Sequence, residues 1–240
     1  MVYMNTLFSN DITLDSINHL YKLTDNPDFN FTSSTQFISQ FFEKFEPEIV
    51  AEKLVSKIPR YQNYTVQELL DEWNKASEFG KKVHNQIEIF IKTNQNPSEL
   101  RAINAVNWLI SQYEKTNSKL YAEVVIYSTE IKIAGTIDLL VFNPNDNSYT
   151  IIDWKTSKKI PTTAYNNKTG IKKSTSNILD CKFNHYSMQL SLYKYILKKF
   201  YNLNIKNLKI AHLMDEQCNI ILAEDYSTNI PLMLEDSNNF

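Results

Sequence analysis

Two acids and a lysine stand where buried strands do not ordinarily carry charge. Gly135-Thr136-Ile137-Asp138-Leu139-Leu140-Val141-Phe142 and Tyr149-Thr150-Ile151-Ile152-Asp153-Trp154-Lys155 are both apolar, β-branched runs. Asn143-Pro144-Asn145-Asp146-Asn147-Ser148 between them is dense in turn formers, so the pair is predicted to be a β-hairpin. Residues two apart on a strand point the same way, which groups Ile151, Asp153 and Lys155 on one face and Ile152 and Trp154 on the other. A carboxylate and an ammonium are then neighbours at the strand's end, and Asp138 on the adjacent strand completes a cluster. Oxygen ligands of this kind suit a divalent cation, with Lys155 as the cationic group beside it. A plain salt bridge is the other use for such a lysine. It leaves unexplained why the acids lie on apolar strands, where an unpaired charge is costly.

Other elements must bring further groups to this hairpin. From Thr65 the chain reads as a long helix, with Thr65 and Glu68 spaced for a capping box. Its apolar stripe runs Leu69, Trp73, Ala76, Gly80, Val83, Ile87 and Ile91. Glycine is unfavourable in mid-helix by about 1 kcal/mol relative to alanine, so Gly80 points to a close backbone approach. If the helix crosses the sheet there, His84 one turn on presents its imidazole to Asp138 and Asp153. A hydrogen-bonded, partly buried histidine is the plainer alternative. Glu123 lies on a strand, Tyr121 to Tyr127, on the same face as Val125 and Tyr127. It would bind metal, hold a water, or pair with a lysine, and ranks below the two aspartates.

Asp138 followed by Asp153-Trp154-Lys155 after a hairpin resembles the PD-(D/E)xK nuclease core, in its Asp-x-Lys variant. Gly80-Lys81-Lys82-Val83-His84-Asn85-Gln86-Ile87-Glu88 resembles the helix of the RecB-like, phage-type exonuclease branch, whose histidine reaches the metal. Gln189-Leu190-Ser191-Leu192-Tyr193 resembles the Gln-xxx-Tyr helix of that branch, and Glu123 matches an acid often found there. Mitochondrial genome maintenance exonuclease and the CRISPR-adaptation nucleases are similar, and the CRISPR-adaptation and helicase-linked relatives often hold an iron–sulfur cluster on four cysteines. With Cys181 and Cys218 alone, this chain is expected to hold none, and to occupy a reducing compartment.

The resemblance implies an α/β, restriction-endonuclease-like fold: a central mixed sheet flanked by helices, with residues 65–224 as nuclease core, 1–64 as a helical arm packed on it and 225–240 as a tail. It implies Mg²⁺ or Mn²⁺, one or two ions, on His84, Asp138, Asp153 and the carbonyl of Trp154. The expected catalytic groups are Lys155, Asp138, Asp153 and Glu123. Gln189 and Tyr193 would place the nucleic acid, and Thr156, Ser157 and Lys158 are suited to phosphate contacts, although solvation is the commoner fate of such a lysine. The implied reaction is phosphodiester hydrolysis in DNA, leaving a 5′-phosphate. Exonuclease action in recombination, repair or phage genome processing is favoured. The alternatives are an endonuclease of the same fold and a nucleic-acid-binding or interaction module that does not cut.

Composition sets wider bounds. The chain has 240 residues, and 42% hydrophobic content is ample for a core. A net charge of −2 argues against a uniformly basic coat, without excluding a local basic groove. The basic residues are nearly all lysine, with Arg60 and Arg101 the exceptions, a bias that fits an AT-rich genome such as a phage's. No apolar run approaches a membrane span, and Met1 to Thr6 lacks a signal-peptide pattern, so a bacterial cytoplasmic protein is expected. No Gly-rich phosphate loop occurs, so no nucleotide cofactor is expected, and a helicase, annealing or single-strand-binding partner would be a separate chain.

The remaining segments carry structure more than chemistry. Ile12, Leu14, Ile17 and Leu20 fall at helical spacing. Phe31 to Ile38 supplies hydroxyls before an aromatic run, read as a helix cap, although a hydroxyl there is also of a kind that contacts phosphate. Asn96-Pro97 is expected to start a second helix. Pro161 to Ile178, with Lys168, Gly170, Lys172 and Lys173, reads as a mobile flap over DNA. The tail from Glu224 is expected to fray.

Overall fold

The structure is a computed structural model and describes residues 7–15 and 20–237. Its centre is a six-stranded mixed sheet, in the order β3 (Thr32–Ser33), β5 (Ile133–Asn143), β6 (Ser148–Lys155), β7 (Ile205–Leu213), β8 (Cys218–Leu222), with β4 (Lys119–Ser128) along the other edge of β5. The predicted hairpin is present: β5 and β6 pair antiparallel from Leu139↔Ile152 to Asn143↔Ser148. β6 and β7 run parallel, and this crossover carries the helix α5 (Lys182–Tyr201).

Both faces of the sheet are covered, which is why its strands read as near-continuous apolar runs. On one side Leu140, Ile151 and Ile210 join Met188, Leu192, Tyr193 and Ile196 of α5 in the larger core. On the other, Leu139, Val141, Ile152 and Trp154 pack with Val83 and Ile87 of α3 (Val66–Thr93) and Ala102, Ala105 and Leu109 of α4 (Leu100–Tyr113). The expected division of Ile151 from Ile152 and Trp154 therefore holds.

Thr65 caps α3 through the capping box with Glu68. The predicted inward stripe holds in the second half of this helix, but Ala76 is exposed and Leu69 is the one buried residue before Val83. The first half runs past the sheet, braced by α2 (Pro47–Lys57) and by Phe45, whose ring lies 5.9 Å from that of Trp73. Helix α4 starts later than Asn96-Pro97 suggests. The backbone leading into it is held from α3, the Gln86 side-chain Oε1 accepting from the Ser98 and Glu99 N–H groups at 2.9 Å.

Three expectations are corrected. Ile12 and Leu20 belong to an antiparallel pair, β1 (Ile12–Asp15) with β2 (Leu20–Leu23), and not to a helix; Ile17 lies outside the described residues. The register pair of these strands, Ile12 and Leu23, is buried with Val125, Tyr127 and Ala134 of the main sheet, and this tertiary contact overrides the local helical spacing. The segment 161–178 is tied down at several points. Ile171 N–H donates to Phe41 O at 2.8 Å, Ser174 N–H to Asp236 at 2.7 Å, and Gly170 N–H to Ile178 O at 3.0 Å. The residues after Glu224 do not simply fray: Ile230, Met233 and Leu234 of α6 (Ile230–Asp236) are buried in the larger core.

Candidate active site

The site lies where β5 changes partner. One edge of β5 pairs with β3 at Ile133 and Ala134 and with β6 only from Leu139 onward, leaving Gly135 to Asp138 between the two. Asp138 and Asp153 stand one step past the last hairpin pair, Leu139↔Ile152, where the strands part. Parting leaves the Trp154 N–H without a strand carbonyl, and Asp138 Oδ2 accepts it at 2.8 Å. The acid thus closes the break in the ladder.

On its other edge, β5 faces β4 with Ala122↔Leu139 and Val124↔Ile137, so Glu123 falls opposite Asp138. Glu123 has φ of 53°, the left-handed region that a residue with a side chain rarely adopts. The simple alternation that would group Glu123 with Val125 and Tyr127 is interrupted at Glu123 itself. Tyr121 and Val124, three apart, both pack on the α5-side core, and so do Ile137 and Leu140. Both strands slip face at the same level without losing register. Backbone strain at a cluster of polar side chains is a recurrent mark of functional sites.

Helix α3 delivers His84 because Gly80 permits a close approach. A Cβ on Gly80 would stand 3.0 Å from the Thr156 hydroxyl, just beyond the end of β6. His84 Nδ1 lies 3.6 Å from Asp138 Oδ2. His84, Glu123 and Asp138 each offer a ligand atom within 4.8 Å of the others. Asp153 sits outside that tightest group, 3% exposed, with its Oδ2 at 2.7 Å from Lys155 Nζ. That ammonium is the charged partner of Asp153 Oδ2, and the oxygen has acceptor capacity left over. A buried carboxylate oxygen with spare acceptor capacity, beside one nitrogen and two further carboxylates, is a donor set that fits a hard divalent cation.

Electrostatics agree with that fit. Burial, with repulsion from Asp138 and Glu88, pushes the Glu123 carboxyl up to about 8. Burial also pushes Asp153 up to about 6, against the pull of Lys155 and with further push from Asp138. Burial works against the Lys155 ammonium, yet Asp153 and Asp138 more than offset it and its pKa is raised. Lys155 stays charged, while at neutral pH Glu123 carries a proton that a cation would displace.

Gln189 and Tyr193 come from the face of α5 that meets the sheet. The Tyr193 hydroxyl is buried and shared between Ser34 at 2.9 Å and the Gln189 amide at 2.9 Å, and burial raises its pKa. Gly135 makes room: a Cβ there would fall 2.6 Å from the Tyr193 ring. Tyr21, Ser33, Ser34, Thr35, Thr136, Gln189 and Tyr193 line a cleft of about 260 Å³ at the break in the sheet. Ser33 makes the capping box of α1 (Ser34–Ser39), and Tyr21 bonds Thr136 at 2.9 Å. Sequence reasoning passed over Tyr21 and Thr136, which lie far apart in the chain and in no motif.

The chain beyond Lys155 is clamped. Arg101 on α4 donates to the Thr156 carbonyl at 2.6 Å and to Asp215 at 2.7 Å. His212, the β7 partner of Lys155, bonds the Ser157 carbonyl at 2.7 Å. The Thr156 hydroxyl faces Gly80, while Lys158 is exposed. Arg101 and His212 carried no signal in the sequence, because the groups they hold at the site, the Thr156 and Ser157 carbonyls, are backbone.

The model of the PD-(D/E)XK nuclease superfamily matches residues 50–206. The chain belongs to this superfamily. The matched span runs from α2 to the start of β7 and contains His84, Glu123, Asp138, Asp153, Lys155, Gln189 and Tyr193. No curated protein matches the chain. Membership makes the protein a nuclease acting on nucleic acid with a divalent metal, and the six-stranded mixed sheet flanked by helices agrees with the superfamily's fold. Among the described residues no helix is long and apolar enough to cross a membrane.

Proposed function

We propose that this nuclease is a RecB-like DNA exonuclease. The observation that carries the reading is the convergence, at one break in the sheet, of His84, Glu123 and Asp138 with the Asp153–Lys155 pair. Mg²⁺ or Mn²⁺ would be held by His84, Glu123 and Asp138, with Asp153 and the Trp154 carbonyl as further oxygens. The imidazole favours Mn²⁺ without excluding Mg²⁺. Bound there, a divalent ion supplies positive charge to the phosphate and acidity to water.

The chain's own residues do the rest. Asp153 holds one side of the Lys155 ammonium, which orients the attacking water and stabilises charge on the phosphoryl oxygens during in-line attack. Asp138 keeps the two strand ends at a fixed separation through Trp154. Gln189 and Tyr193 support the cleft in which a DNA strand end is placed, with Thr156, Ser157 and Lys158 contacting phosphates. A cytoplasmic, phage-linked role in recombination or repair, beside a separate helicase, annealing or single-strand-binding protein, fits this activity.

The test is a time course with end-labelled linear duplex, linear single strand, closed circular DNA and RNA of matched sequence, each with Mg²⁺, Mn²⁺ or EDTA. Loss of linear DNA alone, abolished by EDTA, is the expected result. Cutting of closed circles reassigns the protein as an endonuclease, and preference for RNA overturns the substrate.

A further inference from the structure

Helix α5 brings a third aromatic group to the site that belongs to none of the motifs above. Tyr186 lies one turn before Gln189, and the Lys155 ammonium sits 4.6 Å from the centre of its ring. Lys155 is therefore held on two sides, by the Asp153 carboxylate at 2.7 Å and by the face of Tyr186. Tyr193 is differently placed. It is 2% exposed and its hydroxyl is already shared by Ser34 and Gln189, so it braces the cleft and does not touch the lysine's charge.

We propose that Tyr186 is a positioning residue for Lys155: its ring restricts the ammonium to the side of the site where Asp153 and the scissile phosphate lie. The reasoning is geometric. A lysine side chain has four rotatable carbons and a charge that seeks water, and Lys155 retains 19% side-chain exposure, so one carboxylate leaves it free to swing. An aromatic face attracts the ammonium without accepting its protons, leaving the N–H donors for water and phosphate.

This inference rests on the catalytic role of Lys155, so two readouts separate them. The first is kinetic, with Tyr186→Phe and Tyr186→Leu compared on linear DNA. The phenylalanine variant keeps kcat, while the leucine variant loses about tenfold in kcat with KM little changed, the scale of a partly desolvated cation–ring contact. The second needs no activity: reductive methylation of Lys155 in the folded protein, followed by mass spectrometry. Methylation is faster in Tyr186→Leu than in wild type and unchanged in Tyr186→Phe. Equal methylation in all three proteins overturns the positioning role whatever the activity. A phenylalanine variant as impaired as the leucine one overturns it in favour of the hydroxyl. Inactive wild type with the predicted methylation pattern sinks the catalytic reading and leaves the contact standing.

Discussion

Asp138 and Trp154 are joined across the parted ends of β5 and β6 by a side chain that accepts a backbone N–H at 2.8 Å. The same oxygen lies 3.6 Å from His84 Nδ1, so one atom serves both the sheet and the candidate metal site. Asp138→Asn and Asp138→Ala separate these duties. Asparagine can still accept from Trp154 but is a poor cation ligand, so it should melt near wild type in EDTA and lose the stabilisation Mg²⁺ gives. Alanine should also lose about 1–3 kcal/mol, the cost of an unsatisfied buried N–H. Equal melting of the two variants in EDTA would show that the Trp154 contact contributes nothing.

Glu123 gives a pH prediction whose sign is fixed by its raised pKa of about 8, against an ordinary value of 4.5. Between those values the folded chain holds a proton that the unfolded chain has released. The penalty for burying the charge is absent below 4.5, grows as pH rises, and is complete above about 8. The metal-free protein should therefore lose stability between pH 6 and pH 8.5, and Glu123→Gln should lose less. Divalent cations should raise the melting temperature more at the higher pH, since binding requires the carboxylate. A pH-independent gain from metal would remove Glu123 from the ligand set.

Arg101 fixes the exit of the lysine strand through Thr156. Replacing it with methionine should cost about 2 kcal/mol, the scale of a hydrogen bond to a charged donor. It should also lower kcat, because the Thr156 carbonyl loses its anchor one residue after Lys155. Asp215→Asn, which weakens only the exposed half of the clamp, should leave kcat unchanged. Urea unfolding and steady-state kinetics on the two variants measure both effects.

Gly135 and Gly80 are tight to different degrees. At Gly135 an added methyl meets the Tyr193 ring at 2.6 Å and Ser34 Oγ at 2.8 Å, so Gly135→Ala should destabilise by about 1–3 kcal/mol. At Gly80 the neighbour is one hydroxyl at 3.0 Å, and alanine gains about 1 kcal/mol of helix propensity. Gly80→Ala should stay within about 1 kcal/mol of wild type. Thermal unfolding of both decides it.

Much of this was legible because charge on an apolar strand is a local signal. Asp138, Asp153, the hairpin between them and the capped helix carrying His84 all follow from spacing and turn chemistry. The long loop misled because its polar composition hides anchors that are backbone groups, such as Ile171 N–H on Phe41 O. The β1–β2 pair was hidden by an accidental helical spacing, and tertiary contact with Tyr127 and Ala134 decides its form. The left-handed turn at Glu123 had no sequence mark, since nothing in a glutamate announces a positive φ.

Lys155 is the centre of the account, and one comparison tests it most directly: metal-dependent DNA cleavage by wild type and by Lys155→Ala, each shown by circular dichroism and melting to be folded. Cleavage by wild type that stops in EDTA and falls at least a hundredfold in the variant is the expected result. A folded variant that cuts at the wild-type rate would contradict it.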